Sequence, residues 1–82
     1  MKIVKISAVW CSSCIIMKSR FNEIIKDKDI EVISLDYDID EIDMYNVGEI
    51  LPVFIKLENN KEVDRLVGEH SKKEIESFIG DV

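Results

Sequence analysis

The sequence predicts a small α/β fold of the order βαβαββα. Three features point to it: a short β-branched strand running directly into a helical stretch, an Asn-Asn hairpin between two later strands, and a capped apolar-faced helix at the end. Residues 2–9 (Lys-Ile-Val-Lys-Ile-Ser-Ala-Val) are short and rich in β-branched side chains, which reads as a strand. From Cys11 to about Lys26 there is no Gly or Pro, and Cys14, Met17, Phe21, Ile24 and Ile25 recur at helical spacing. Glu31–Asp36 is a second strand. A strand-helix-strand opening implies a parallel pair joined by a right-handed crossover. Asp38–Tyr45 places Ile39, Ile42 and Tyr45 three apart, with Asp40 and Glu41 suited to a first turn, so a short helix is expected there. Val53–Leu57 and Glu62–Val67 read as strands three and four. Asn59 and Asn60 supply the positive backbone angles of a tight turn between them, making the two strands antiparallel neighbours. Ser71-Lys72-Lys73-Glu74 is a capping box for a last helix whose apolar face is Ile75, Phe78 and Ile79, with Gly80 as its stop.

The 82 residues read as one domain, 1–82, of a size that buries about 60–65% of the surface its unfolded chain exposes. A hydrophobic content of 46% with 34% charged residues excludes a disordered chain. Seventeen acidic against 11 basic residues give a net charge of −6, which repels phosphate backbones and anionic lipid, so neither nucleic acid nor a membrane is an expected partner. No apolar run approaches a membrane span, and no secretory leader is legible in Met-Lys-Ile-Val-Lys-Ile-Ser, so the expected location is the cytoplasm.

Cys11 and Cys14, separated by two serines, are the only cysteines. The loop they close is too short to constrain the unfolded chain much, which leaves a redox pair or half of a metal site. A zinc or iron site needs about four protein ligands, and the chain adds only His70 unless two copies share one. The redox reading also accounts for the position of the motif. A thiol attacks a disulfide only as thiolate, and Cys11 falls at a helix N-terminus, where unpaired N–H groups and the macrodipole favour an anion. Cys14 lies one turn further in, on the apolar face with Met17 and Phe21. The expectation is an exposed, activated Cys11 that attacks and a shielded Cys14 that resolves the mixed disulfide. The acidic run from Asp36 to Asp43 superficially suggests a calcium loop. Glu41 stands where the turn glycine should be and Val47 where the closing acid should be, so a solvated strand end and helix start is the better account.

Three segments together resemble the thioredoxin family: the first strand entering Trp10-Cys11-Ser12-Ser13-Cys14, the stretch Tyr45-Asn46-Val47-Gly48-Glu49-Ile50-Leu51-Pro52 leading into a strand, and the tail from Glu62 through Gly68 to Ser71. The likeness covers essentially the whole chain and lacks only an extra N-terminal strand and helix. It implies a thioredoxin fold, a mixed four-stranded sheet in the order 2-1-3-4 flanked by three helices. It also implies a protein-disulfide reductase of the thioredoxin kind, needing no cofactor beyond the Cys11–Cys14 disulfide. The implied partners are disulfide-containing proteins and an upstream reductant, either a thioredoxin-reductase-like enzyme or glutathione, and the implied unit is a monomer. A glutathione-dependent glutaredoxin-type enzyme and a non-catalytic metal-binding module are the alternatives. Glutaredoxins usually have Pro-Tyr between their cysteines and a Gly-Gly-Asp segment, and this chain has neither.

By the same resemblance Pro52 is the family's cis-proline facing the active pair, and the Leu51 backbone pairs with an extended substrate. Trp10 offers substrates a flat apolar contact, and Gly68 belongs to the rim of the site. Their plain readings are a strand-opening proline, a core tryptophan and a turn glycine. His70 reads as part of a solvated loop. One departure is Lys5, which stands six positions before Cys11 where thioredoxins commonly carry a buried acid; the family's partner lysine would fall near Ser34, so both members of that pair are absent. Either Lys5 carries its ammonium out to the surface, or it lies near the cysteines as a pKa modulator and favours thiolate.

Overall fold

Strand β1 (Lys2–Ser7) forms the middle of the sheet because its Ile3, Val4 and Ile6 need cover on both faces, and the computed structural model gives all three complete burial. The structure describes residues 1–80; Asp81 and Val82, the end of the domain read as 1–82, lie outside them. The strand stops at Ser7, two residues short of its sequence reading, because the Cys11 amide donates to the Ala8 carbonyl at 3.2 Å and closes a turn. It pairs in parallel with β2 (Glu31–Asp36), Lys5 opposite Ser34, and antiparallel with β3 (Val53–Glu58), Lys5 opposite Phe54. Strand β4 (Lys61–Val67) adds to β3, so the sheet order is β2-β1-β3-β4, the order that the resemblance implied. Asn59 and Asn60 both take positive φ, 54° and 64°, in the turn of this hairpin. A register shift beside Lys56 and Leu57 interrupts the β3–β4 ladder.

One face of the sheet is covered by α1 (Ser12–Ile25) and α2 (Lys72–Ile79). Ile3 and Phe54 meet Met17 and Phe21 of α1 and Ile75, Phe78 and Ile79 of α2, with the Phe21 and Phe54 rings 4.6 Å apart. The other face presents Val4, Ile6, Val53 and Ile55, over which Tyr37, Ile42, Tyr45 and Val47 of the long β2–β3 connection pack. The third helix expected at Asp38–Tyr45 is reduced to a single 3₁₀ turn, Asp43–Tyr45. The reason is local: an Asp36 carboxylate oxygen accepts from the Asp38 amide at 2.8 Å and an Asp40 oxygen from the Asp36 amide at 2.7 Å. With the Ile39 and Asp40 amides both on the Asp36 carbonyl, at 3.3 and 2.9 Å, the chain makes a turn over residues 36–40 that does not continue as a helix. Asn46, at φ 52°, then ends the 3₁₀ turn. Arg65 anchors this connection to β4 by donating to the Tyr45 carbonyl at 2.8 Å while forking onto Glu62.

The capping box of α2 forms as read: Ser71 Oγ accepts from the Glu74 amide, and Glu74 accepts in return from the Ser71 amide. Glu74 also meets His70 at 2.9 Å. The imidazole and the Ser71 donors hold the Glu74 pKa down, from 4.5 to about 2, while the same carboxylate raises that of His70 above 6.5. Glu74 moves further because Ser71 stabilises its charge as well. A depressed carboxyl pKa contributes stability above pH 4.5 that is lost as pH falls toward 2, and the raised His70 contributes below pH 6.5 and fades above it. Acid unfolding followed by circular dichroism should therefore show a loss of stability between pH 4.5 and 2, with a shallower slope in Glu74→Gln.

Candidate active site

The β1–α1 turn delivers Cys11 as the N-cap of α1, in extended conformation at φ −94° and ψ 110°. Its Sγ accepts from the Cys14 amide at 3.3 Å, one of the N–H groups that a helix start leaves without a carbonyl partner. The thiol also faces the Leu51 carbonyl at 3.7 Å. Both cysteines are free thiols. The expected contrast in exposure is absent in this state: Cys11 is 9% exposed and Cys14 7%. Cys11 is covered because its sulfur turns back onto its own helix on one side and onto the β3 approach on the other. What separates the two thiols is position, Cys11 capping α1 and Cys14 lying inside its first turn. Burial, followed by a hydrogen bond shared with Cys11, pushes the Cys14 thiol up to about 11, against a backbone hydrogen bond at Ala8 and the charge of Lys5.

The remaining expected residues converge on this point from three loops. The Leu51–Pro52 peptide is cis, and both residues are buried. Gly68, at φ 85°, donates its amide to the Pro52 carbonyl at 2.8 Å. A Cβ there would press on Ile50 Cγ2 at 3.3 Å, the end of an exposed side chain, so it is the positive backbone angle that calls for glycine. Trp10 is 60% exposed, which removes the core-filling reading. Its indole N–H donates to Asp38 Oδ2 at 2.6 Å, and Tyr37 meets it edge to face.

Asp38 is a site residue that sequence reasoning missed, since nothing in local spacing links it to a tryptophan 28 positions away. Exposed Val9, Ile15 and Ile50 were missed as well. Ile15 could have been found as an apolar residue outside the Cys14–Met17–Phe21 stripe.

Lys5 lies on the same face of β1 as Ile3 and lines a cavity of about 210 Å³ with Cys14, Lys18, Asp36, Pro52 and Phe54 among its walls. Burial first, then the charge of Lys18, lowers the Lys5 pKa, and Cys14 raises it. His70 is elsewhere: its ring nitrogens contact Glu74 and the Val67 carbonyl, each at 2.9 Å. Among the described residues no cluster of three or more His, Cys, Asp or Glu is placed to hold a metal, and no helix is long and apolar enough to cross a membrane.

Comparison with known proteins agrees with this geometry. The family model for thioredoxin matches residues 1–81. Thioredoxin H5 of Oryza sativa subsp. japonica is 35% identical over 79 residues, 93% of this chain and 58% of its own length. Thioredoxin H-type 1 of Nicotiana tabacum is 34% identical over 80 residues, 94% of this chain and 62% of its own. The chain thus spans about three fifths of these curated relatives. The crystal structure of the reduced thioredoxin pre-protein of Schistosoma mansoni superposes with a TM-score of 0.84 at 29% identity, covering 95% of this chain and 74% of that one. A match along nearly the entire chain, on a sheet of the expected order with both cysteines at the head of α1, establishes that the chain belongs to the thioredoxin family.

Proposed function

We propose that this protein catalyses thiol–disulfide exchange on protein disulfides in the reducing direction, with Cys11 as nucleophile and Cys14 as resolving thiol. The observation that carries the reading is the placement of Cys11 Sγ at the N-cap of α1, taking the Cys14 amide at 3.3 Å and facing the Leu51 carbonyl. Amide donors at a helix start stabilise negative charge on sulfur, the form that attacks. In the first step the Cys11 thiolate bonds to one substrate sulfur, the substrate S–S bond breaks, and the other substrate sulfur leaves with the electron pair. In the second step Cys14, having lost its proton, bonds to Cys11 Sγ and expels the remaining substrate sulfur. Two electrons pass from the dithiol to the substrate, which takes up two protons from solvent. The electrons reside on the sulfurs throughout, so no organic cofactor is required.

Trp10, Leu51, Pro52 and Gly68 are the substrate-binding residues of this reading. The exposed side chains of Trp10, Val9 and Ile50 supply apolar surface for an extended protein segment. The protein works as a monomeric cytoplasmic unit formed by residues 1–82, re-reduced by a thioredoxin-reductase-like enzyme or by glutathione. Insulin reduction, run once with thioredoxin reductase and NADPH and once with glutathione and its reductase, tests the reading and names the reductant. Catalysis with either one supports exchange; insulin reduced no faster than by the reductants alone in both arms contradicts it.

A further inference from the structure

Lys5 is a half-buried lysine in the central strand, and among the described residues it makes no ion pair or hydrogen bond. Two other lysines that the fold partly covers have acceptors: Lys56 donates to the Phe78 carbonyl at 3.0 Å, and Lys2 meets Glu31 at 3.9 Å. The strand alternation that buries Ile3 under α1 and α2 directs Lys5 to the same face, and there it lines the 210 Å³ cavity that Cys14 also lines. The charged groups facing it are Lys18 from α1 and Asp36 from β2, whereas β3 contributes only Phe54, and Pro52 is the residue just before that strand.

We propose that Lys5 is a positioning residue for the resolving step: its ammonium, held at the cavity wall, stabilises the Cys14 thiolate as that thiolate attacks Cys11. The inference rests on the exchange reaction proposed above. A thiol pushed up to about 11 is ionised to roughly one part in 10⁴ at pH 7, so the second step is limited by how readily Cys14 ionises. Once Cys11 is tied up in a mixed disulfide it no longer repels a Cys14 thiolate, but burial, the largest cause of the shift, remains. A cation beside the sulfur works against that burial. In the step itself the Cys14 proton leaves to solvent through the cavity, the Cys14–Cys11 bond forms, the Cys11–substrate bond breaks and the substrate sulfur departs with the electron pair. Lys5 stays charged and transfers no proton.

Dipyridyl disulfide, an uncharged probe, reports both steps, because attack by Cys11 and resolution by Cys14 each release one pyridinethione. In stopped-flow measurements across pH, Lys5→Met should slow the second release about three- to tenfold at pH 7 and move its pH profile upward. The first release should be unchanged, and Lys5→Arg should restore the second. Circular dichroism checks that each variant is folded. An unmoved second-phase profile in Lys5→Met, or equal slowing of both phases, overturns the role of Lys5. Failure of the exchange reading looks different: wild type and Cys11→Ser would release pyridinethione alike.

Discussion

Cys11→Ser should lower insulin reduction on the order of a thousandfold or more, to the rate of the reductant alone, while leaving the fold intact. The serine oxygen occupies the same N-cap position and can still accept from the Cys14 amide, so α1 keeps its start. What disappears is the sulfur that must bond to the substrate, and loss of a nucleophile is not compensated by the groups around it. A circular dichroism spectrum matching wild type, together with basal insulin reduction, is the expected pair of results.

Phe21→Ala should have the largest effect on stability, about 3–5 kcal/mol. Phe21 is 1% exposed and joins α1 to Phe54 of β3 at a centroid distance of 4.6 Å. Met17 and Ile75 belong to the same cluster, so a truncated side chain leaves a cavity that three separate elements border. Small domains have about 5–15 kcal/mol in total, so this one substitution removes a large fraction of the stability. Urea unfolding should show the midpoint falling with little change in slope, and Phe21→Leu should lose much less.

The parts of the fold legible in the sequence are those set by neighbours along the chain. Asn59-Asn60 marks its hairpin and Ser71 with Glu74 marks its capping box because the bonding groups lie within three residues of each other. The apolar spacing of Cys14, Met17 and Phe21 was legible for the same reason, and it places the second cysteine on the buried face of α1. The middle helix was misread because periodicity weighed Ile39, Ile42 and Tyr45 but not the turn over residues 36–40 that the Asp36 carbonyl and carboxylate hold. Most of Ile39 remains exposed, so the spacing that suggested a buried face had no packing behind it. At the site, the identity of both thiols was legible, and the resemblance pointed to Leu51, Pro52 and Gly68. The bond from Trp10 to Asp38 and the covering of Cys11 by the Leu51 carbonyl were not, since both depend on loops brought together only when the sheet closes.

The division of labour between the two thiols is tested most directly by trapping. Cys14→Ser keeps the attacking sulfur and removes the resolving one, so incubation with a disulfide-containing protein such as insulin should accumulate a stable mixed disulfide. It should be visible as a band on a non-reducing gel and as the summed mass in a mass spectrum, and a thiol reductant should release it. Cys11→Ser, treated in the same way, should give none. Equal trapping by the two variants, or trapping by Cys11→Ser alone, would contradict the assignment of Cys11 as nucleophile.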